Sequence, residues 1–410
     1  MGSLPDGPRM SLNLPRVVPD NSEVFVCAVQ GNIDGMMSLF ESKLASPFDV
    51  GFRTGRTPLH YAVNYDHPKL TKFLLHAGAN PRAEDHEHAT TTALAWRRIF
   101  GSLGEESTLN AFQSMFNDEE FLASRVFQPL HKIVLGFSCV RLEDELSLTT
   151  SHIDDTDADG RTALSWAAMR GDFAAVSTSL RFGADTNMPS YWGQRPLHFA
   201  TQNKRQSLLP ILKALIEDGA DVNALDYWNR TALIYTSGNH DSIDPLKLLC
   251  EHGTALDVRD RRLRTSLGYA ARLGNLQHAQ YLVALGADPQ LPDEFNVLPL
   301  LEAVKNNFHD ILRLLIPVTD PLQIKPYDSS LLHWVADYSD KTTLAIIQEH
   351  PASRLFQGTE VTMVDKDGLI PQELYELRSD DWKPDPEDFN ALLQSVSDVK
   401  KSEEASDQLE

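Results

Sequence analysis

The sequence predicts an all-α solenoid of stacked helix pairs, about ten of them, and two recurring phrases carry that prediction. Between Asp159 and Pro289 the first returns four times: Gly160-Arg161-Thr162-Ala163-Leu164, Gly193-Gln194-Arg195-Pro196-Leu197-His198, Asn229-Arg230-Thr231-Ala232-Leu233 and Leu263-Arg264-Thr265-Ser266-Leu267. Counted on the Thr or its replacement, the steps are 33 (162 to 195), 36 (195 to 231) and 34 (231 to 265). About twenty residues after each comes the second phrase: Gly183-Ala184-Asp185, Gly219-Ala220-Asp221-Val222-Asn223, Gly253-Thr254-Ala255 and Gly286-Ala287-Asp288. A fixed period of this length marks a repeat architecture, because one short helix pair cannot bury its apolar side alone and must stack on its neighbours.

Taken in order, the chain opens with a Pro-rich and polar stretch, residues 1–20, that reads as a disordered leader. From Glu23 to Leu44 the apolar residues Val24, Cys27 and Ala28 form one helical face and Met36, Met37 and Phe40 the next, with Gly31-Asn32 between them. Residues 21–50 therefore predict an N-terminal cap. Residues 51–85 form a regular unit: Gly55-Arg56-Thr57-Pro58-Leu59-His60 opens it and Gly78-Ala79-Asn80 closes it. Thr57 suits a helix cap, Pro58 a first turn, and Gly78 a left-handed helix end. Over 86–158 the register loosens. Thr92-Ala93-Leu94-Ala95-Trp96 and Gln128-Pro129-Leu130-His131 each restart it, which predicts two degenerate repeats with long loops. Four regular repeats follow over 159–290, and divergent repeats with a C-terminal cap over 291–396, opened by Leu298-Pro299-Leu300-Leu301, Ser330-Leu331-Leu332-His333 and Gly368-Leu369-Ile370-Pro371. Phe389, Leu392, Leu393 and Val396 lie on one side of a last helix, and 397–410 reads as an acidic, mobile tail.

The period, the Thr-Pro-Leu-His phrase and the Gly-Ala-Asp-Val-Asn phrase together resemble the ankyrin repeat, over roughly Glu23 to Val396. That resemblance implies β-turn fingers, each followed by two antiparallel helices, in a curved solenoid with a groove that presents its surface to partner proteins. The phrase Thr162-Ala163-Leu164-Ser165-Trp166-Ala167-Ala168 and the irregular N-terminal half look like the long, divergent ankyrin proteins of filamentous fungi.

A net charge of −21 argues against a nucleic-acid backbone or an anionic membrane face as the main partner. No stretch approaches 18 uninterrupted apolar residues, and the N-terminal residues lack a signal-peptide core, so no membrane span is expected. Cys27, Cys139 and Cys250 are odd in number and far apart, which implies no disulfide framework and fits a cytoplasmic or nuclear protein. A monomer is expected.

Two sets of aromatic residues are candidates for the partner surface. Just after the motif His or its equivalent stand Tyr61, Trp96, Lys132, Trp166, Phe199, Tyr235, Tyr269, Glu302 and Trp334. Seven of these nine are aromatic in a chain that is 8% aromatic. They predict either a ladder along the groove wall or packing between repeats, and such positions more often pack. The expected finger tips, Tyr191-Trp192, Asp226-Tyr227-Trp228, Asp260-Arg261-Arg262 and Asp293-Glu294-Phe295, are the second set, because turn tips rarely bury large rings. With Arg170 and Arg272 they would form an aromatic and basic patch; finger-to-finger packing is the other use of these rings. The anchors expected are Trp166, Tyr191, Trp192, Tyr227, Trp228, Tyr235, Arg261, Arg262 and Tyr269.

No cofactor, metal or catalytic site is expected. His60, His131, His198 and His333 hold the repeat's own motif position. Asp85-His86-Glu87-His88 lacks further zinc ligands, and Asp155 to Gly160 imitates a calcium loop whose twelfth position is Trp166 rather than Glu. No phosphate loop, dinucleotide fingerprint or nucleophile elbow appears. The function expected is a non-enzymatic scaffold for protein partners. The alternative is an accessory protein or unusual enzyme of a fungal secondary-metabolite pathway, with a small-molecule pocket near Trp96 and Trp166.

Overall fold

The structure is a computed structural model that describes residues 15–86, 89–101, 106–116, 123–202, 208–239, 242–320, 329–351, 355–356, 361–379 and 382–407. It divides into two compact units, Met1–Arg170 and Gly171–Glu410. Both are built from short antiparallel helix pairs.

In the first unit the pairs are α1 (Glu23–Gln30) with α2 (Ile33–Glu41), α3 (Pro58–Asn64) with α4 (Pro68–His76), α5 (Thr91–Gly101) with α6 (Glu106–Met115), and α7 (Pro129–Val134) with α8 (Leu142–Leu148); α9 (Ala163–Arg170) closes the unit. The first helices stack, α3 on α1 and α5 on α3, and α9 packs on both α5 and α7. Residues 15–20, expected as the end of a leader, belong to the fold. Strand β1 (Val17–Val18) pairs in parallel with β2 (Val50–Gly51), and Arg16 donates to the buried Asp49 carboxylate at 2.7 Å. Asp20 also accepts from the backbone N–H of Arg53 at 2.8 Å. The polar composition that suggested disorder is used here to cap the first finger.

The second unit contains α10 (Phe173–Arg181), α11 (Pro196–Ala200) with α12 (Leu208–Glu217), α13 (Ala232–Asn239) with α14 (Asp244–Glu251), and α15 (Ser266–Leu273) with α16 (Leu276–Ala284). After these come α17 (Pro299–Lys305) with α18 (His309–Leu315), α19 (Leu331–Tyr338) with α20 (Lys341–Gln348), and α21 (Pro371–Leu377) with α22 (Pro386–Asp407). First helices α11, α13, α15, α17, α19 and α21 stack in that order, and second helices pack beside them. The stretch 397–407, expected as a mobile tail, continues α22. Residues 408–410 lie outside the described residues. The leucine and alanine faces read from the sequence are the core: Leu197, Leu233, Leu267, Leu300 and Leu332 are each buried at the same place in successive repeats.

The motif histidines explain why the first helices start where they do. In α3, α11 and α19 the imidazole Nδ1 accepts the N–H of the cap residue three positions back, Thr57, Arg195 or Ser330, each at 3.1 Å. Nε2 therefore carries the proton and donates to a carbonyl of the next repeat: Ala89, Ala224 or Met363. In these three repeats one side chain closes a helix and ties it to the following unit; His131 makes only the second bond, its Nε2 to the Arg161 carbonyl at 2.8 Å. Burial pushes the pKa of His60, His131, His198 and His333 down, so they stay neutral.

Candidate functional site: the finger row of the second unit

Three of the fingers in this row are tight hairpins, each built around one buried carboxylate, Asp226, Asp260 or Asp293; the Tyr191-Trp192 finger has Ser190 at that place, whose N–H donates to the Gln194 carbonyl at 2.8 Å. In the finger before α13, Asp226 Oδ1 accepts the backbone N–H groups of Trp228 and Arg230 at 2.8 and 2.9 Å. Asp260 does the same for Arg262 and Arg264, and Asp293 for Phe295 and Val297. The residue just beyond each tip is left-handed: φ is 70° at Gly193, 58° at Asn229, 57° at Leu263 and 58° at Asn296. Glycine and asparagine suit that geometry; Leu263 adopts it at a cost. With the inside of the hairpin closed by backbone bonds, the two tip residues have no interior to enter.

Neighbouring fingers are locked in register. Tyr227 donates its N–H to the Trp192 carbonyl at 2.8 Å, Arg261 to that of Trp228 at 2.9 Å, and Glu294 to that of Arg262 at 2.8 Å. This fixed spacing brings the tip rings together. Trp192 stacks on Trp228 with centroids 5.6 Å apart and planes 15° apart, and Tyr227 meets both edge-on at 5.8 and 5.7 Å. The Arg261 guanidinium lies over Tyr227, 3.7 Å from its centroid. Despite these contacts the rings remain open to solvent: Tyr191 is 74% exposed, Trp192 47%, Tyr227 49% and Trp228 37%. The Asp226, Asp260 and Asp293 carboxylates are buried inside the turns, while Arg261 and Arg262 are exposed. The row therefore presents rings and the Arg261 cation, while Arg262 pairs with the exposed Glu294 of the next finger at 3.7 Å, on a chain of net charge −21.

The ladder residues lie elsewhere, and this corrects three of the expected anchors. Trp166, in the first unit, is buried at 1% exposure and donates Nε1–H to Asp157 Oδ2 at 2.9 Å. Tyr235 is buried and donates to Asp226 Oδ2 at 2.7 Å; half-buried Tyr269 donates to Asp260 Oδ2 at 2.8 Å. Burial beside a carboxylate pushes both phenol pKa values up. These aromatics stand nine residues after a finger Asp (157 to 166, 226 to 235, 260 to 269) and hold its second oxygen, so they support the fingers from inside. That nine-residue pairing was readable in the sequence and was missed. Trp96 and Phe199 are buried too. Arg170, expected in the patch, donates to the Phe100 carbonyl at 3.1 Å within the first unit. Arg272 lies at the end of α15, away from the tips.

Trp96 and Trp166 pack with Phe100 in the core of the first unit, each 1% exposed. An open cavity of about 380 Å³ lies nearby, lined by Val126, Phe127, Lys132 and Phe137 among others. His86 Nδ1 bonds the Arg53 carbonyl, and residues 87–88 of the His-x-His stretch lie outside the described residues. Asp157 Oδ1, in the stretch resembling a calcium loop, accepts the N–H groups of Asp159 and Arg161, so it serves its own turn. Among the described residues no helix is long and apolar enough to cross a membrane.

Comparison with known proteins agrees with this architecture. A family model described as ankyrin repeats (3 copies) matches residues 138–226 and 206–293, and one described as ankyrin repeat matches residues 54–86. Among curated proteins the chain is 28% identical over 193 residues to a palmitoyltransferase AKR1 of Lachancea kluyveri, covering 46% of this chain and 21% of that protein. It is 30% identical over 219 residues to the B-cell lymphoma 3 protein homolog of Mus musculus, covering 52% and 47%. It is 27% identical over 233 residues to inversin of Homo sapiens, covering 55% and 21%. The matched regions thus span from about a fifth to about half of these relatives' lengths.

Proposed function

The chain is built of ankyrin repeats, and from that premise we propose that it is a non-enzymatic interaction protein whose finger row over residues 191–263 is the main dock for a partner protein. The observation that carries this reading is the exposed Trp192–Tyr227–Trp228 stack with Arg261 laid across it. Rings held rigidly by backbone bonds lose little entropy on binding, and tryptophan, tyrosine and arginine dominate binding hot spots. The partner surface that fits is apolar at its centre with an acidic group at its edge, opposite Arg261. The cysteines, all free thiols, fit a reducing compartment, cytoplasm or nucleus.

The test is site-specific photocrosslinking. A benzophenone amino acid replaces the most exposed tip residue, Tyr191, and in a separate protein the exposed Tyr65 of the first unit. A partner covalently captured from position 191 and not from position 65 supports the dock. Equal capture from both positions, or capture from 65 alone, refutes it.

A further inference from the structure

The tips of the finger row are rich in hydrogen-bond donors and poor in acceptors. Trp192 and Trp228 each carry an indole N–H, and Tyr191 and Tyr227 each carry a hydroxyl. All four side chains are exposed, and none of these groups meets a hydrogen-bond partner among the described residues. Arg261 is exposed too, and its guanidinium lies over Tyr227 without pairing with a carboxylate among those residues. Stacking engages the face of a guanidinium and leaves the donors at its edge available. Acceptors are held back. The only carboxylates in the tips 190–194, 226–230 and 260–264 are Asp226 and Asp260, both buried in their own turns. The carbonyls of Trp192 and Trp228 already accept the N–H groups of Tyr227 and Arg261.

This imbalance selects among the forms a partner segment can take. A helix brings these donors no free backbone carbonyl, because its carbonyls are bonded internally. A β-strand brings N–H groups of its own, and its successive side chains point to opposite faces. A polyproline II segment has solvated carbonyls and, at each proline, no N–H. Its period fits as well. Three residues make a turn of about 9.3 Å, so residues i, i+3 and i+6 share one face. Neighbouring repeats stack at the distance of packed helices, about 8–10 Å. Each turn of such a chain therefore advances it by one finger.

Resting on the finger dock, we propose that the partner's bound segment is a polyproline II stretch with prolines at i and i+3 and an acidic residue at i+6. The first proline lies on Tyr191 and Trp192, the second on Tyr227 and Trp228, and the acid pairs with Arg261. The indole N–H and hydroxyl groups donate to carbonyls of the segment. A chain already extended in this form loses little entropy on docking against aromatic rings.

The probe is a fluorescein-labelled peptide, Pro-Ala-Pro-Pro-Ala-Pro-Glu, titrated with the full chain by fluorescence anisotropy. Two comparison peptides carry Gly for every Pro, or Lys for Glu. The expected result is binding about tenfold tighter than either comparison. Trp192→Ala/Trp228→Ala should weaken it about tenfold with the thermal midpoint unchanged. Tyr191→Ala, at the most exposed tip, should weaken it without touching the stacked indoles. Arg261→Glu should turn the preference toward the Lys peptide. Equal binding of the proline and glycine peptides, indifference to the tip variants, or no binding at the highest soluble protein concentration would overturn the proposal. Photocrosslinking from position 191 separates it from the dock it rests on. Capture that excess proline peptide abolishes supports both. Capture that the peptide does not displace keeps the dock and overturns the proline-rich partner, and no capture overturns both.

Discussion

Asp226 shows how one residue decides both fold and surface. Its Oδ1 closes the hairpin, and its Oδ2 accepts from Tyr235 and from Arg230 at 3.0 Å. Arg230 in turn lies over the Trp228 ring at 4.6 Å and the Tyr235 ring at 4.4 Å. Removing the carboxylate leaves a half-buried guanidinium and a buried hydroxyl without their partner. Asp226→Ala should therefore cost about 3–5 kcal/mol by urea denaturation. Leu263 predicts the opposite sign. It holds a left-handed turn position, φ 57°, with its side chain 42% exposed. Leu263→Asn should raise stability by about 1 kcal/mol; a loss would mean that the side chain packs more than its exposure indicates. Residue identity made the tips legible, since Tyr-Trp pairs in turns stand out. It did not separate Tyr227 from Tyr235, because the same ring faces solvent on a tip and the interior when an Asp nine residues earlier holds its hydroxyl.

Among elements, the short first helices rely on their caps. His198 closes α11 through the Arg195 N–H and reaches the carbonyls of Ala224 and Arg230 at 3.0 and 3.1 Å. Its pKa lies below the ordinary 6.5 because burial disfavours the charged ring. The sign follows from linkage: in acid the unfolded chain binds a proton at this ring and the folded chain does not, so the histidine's contribution fades as pH falls through 6.5. The stability difference between wild type and His198→Gln should shrink between about pH 7.5 and pH 5.5. A difference that widens would require a charged ring in the folded state. Helix starts were the most legible elements, since Thr-Pro-Leu-His encodes both cap and closure. Less legible were residues 15–20 and 397–407, where polar composition suggested disorder. In the first stretch Arg16 and Asp20 bond residues 33 positions later, contacts that no local pattern displays. In the second, α22 runs on through Ser397 and Asp398, past the buried Phe389, Leu392 and Val396 of its earlier part.

At the scale of the whole molecule, the repeat period legibly gave the stacking order, because each unit must bury its face on the next. The division after Arg170 was not legible: it falls inside a regular repeat, between α9 and α10. A chain of net charge −21 repels itself when compact. Raising salt from about 10 to 150 mM should therefore raise the thermal midpoint, as the Debye length shortens to about 8 Å. The central claim is that the aromatic finger row, and not the buried ladder, takes the partner. Its most direct test is quantitative affinity purification of the tagged full-length chain from its native cells, wild type against Trp192→Ala/Trp228→Ala, with the thermal midpoint of both proteins measured in parallel. The account predicts a discrete partner lost from the double variant, its affinity lower by about 2–4 kcal/mol, with the midpoint unchanged. Full retention of that partner by a folded double variant would contradict it.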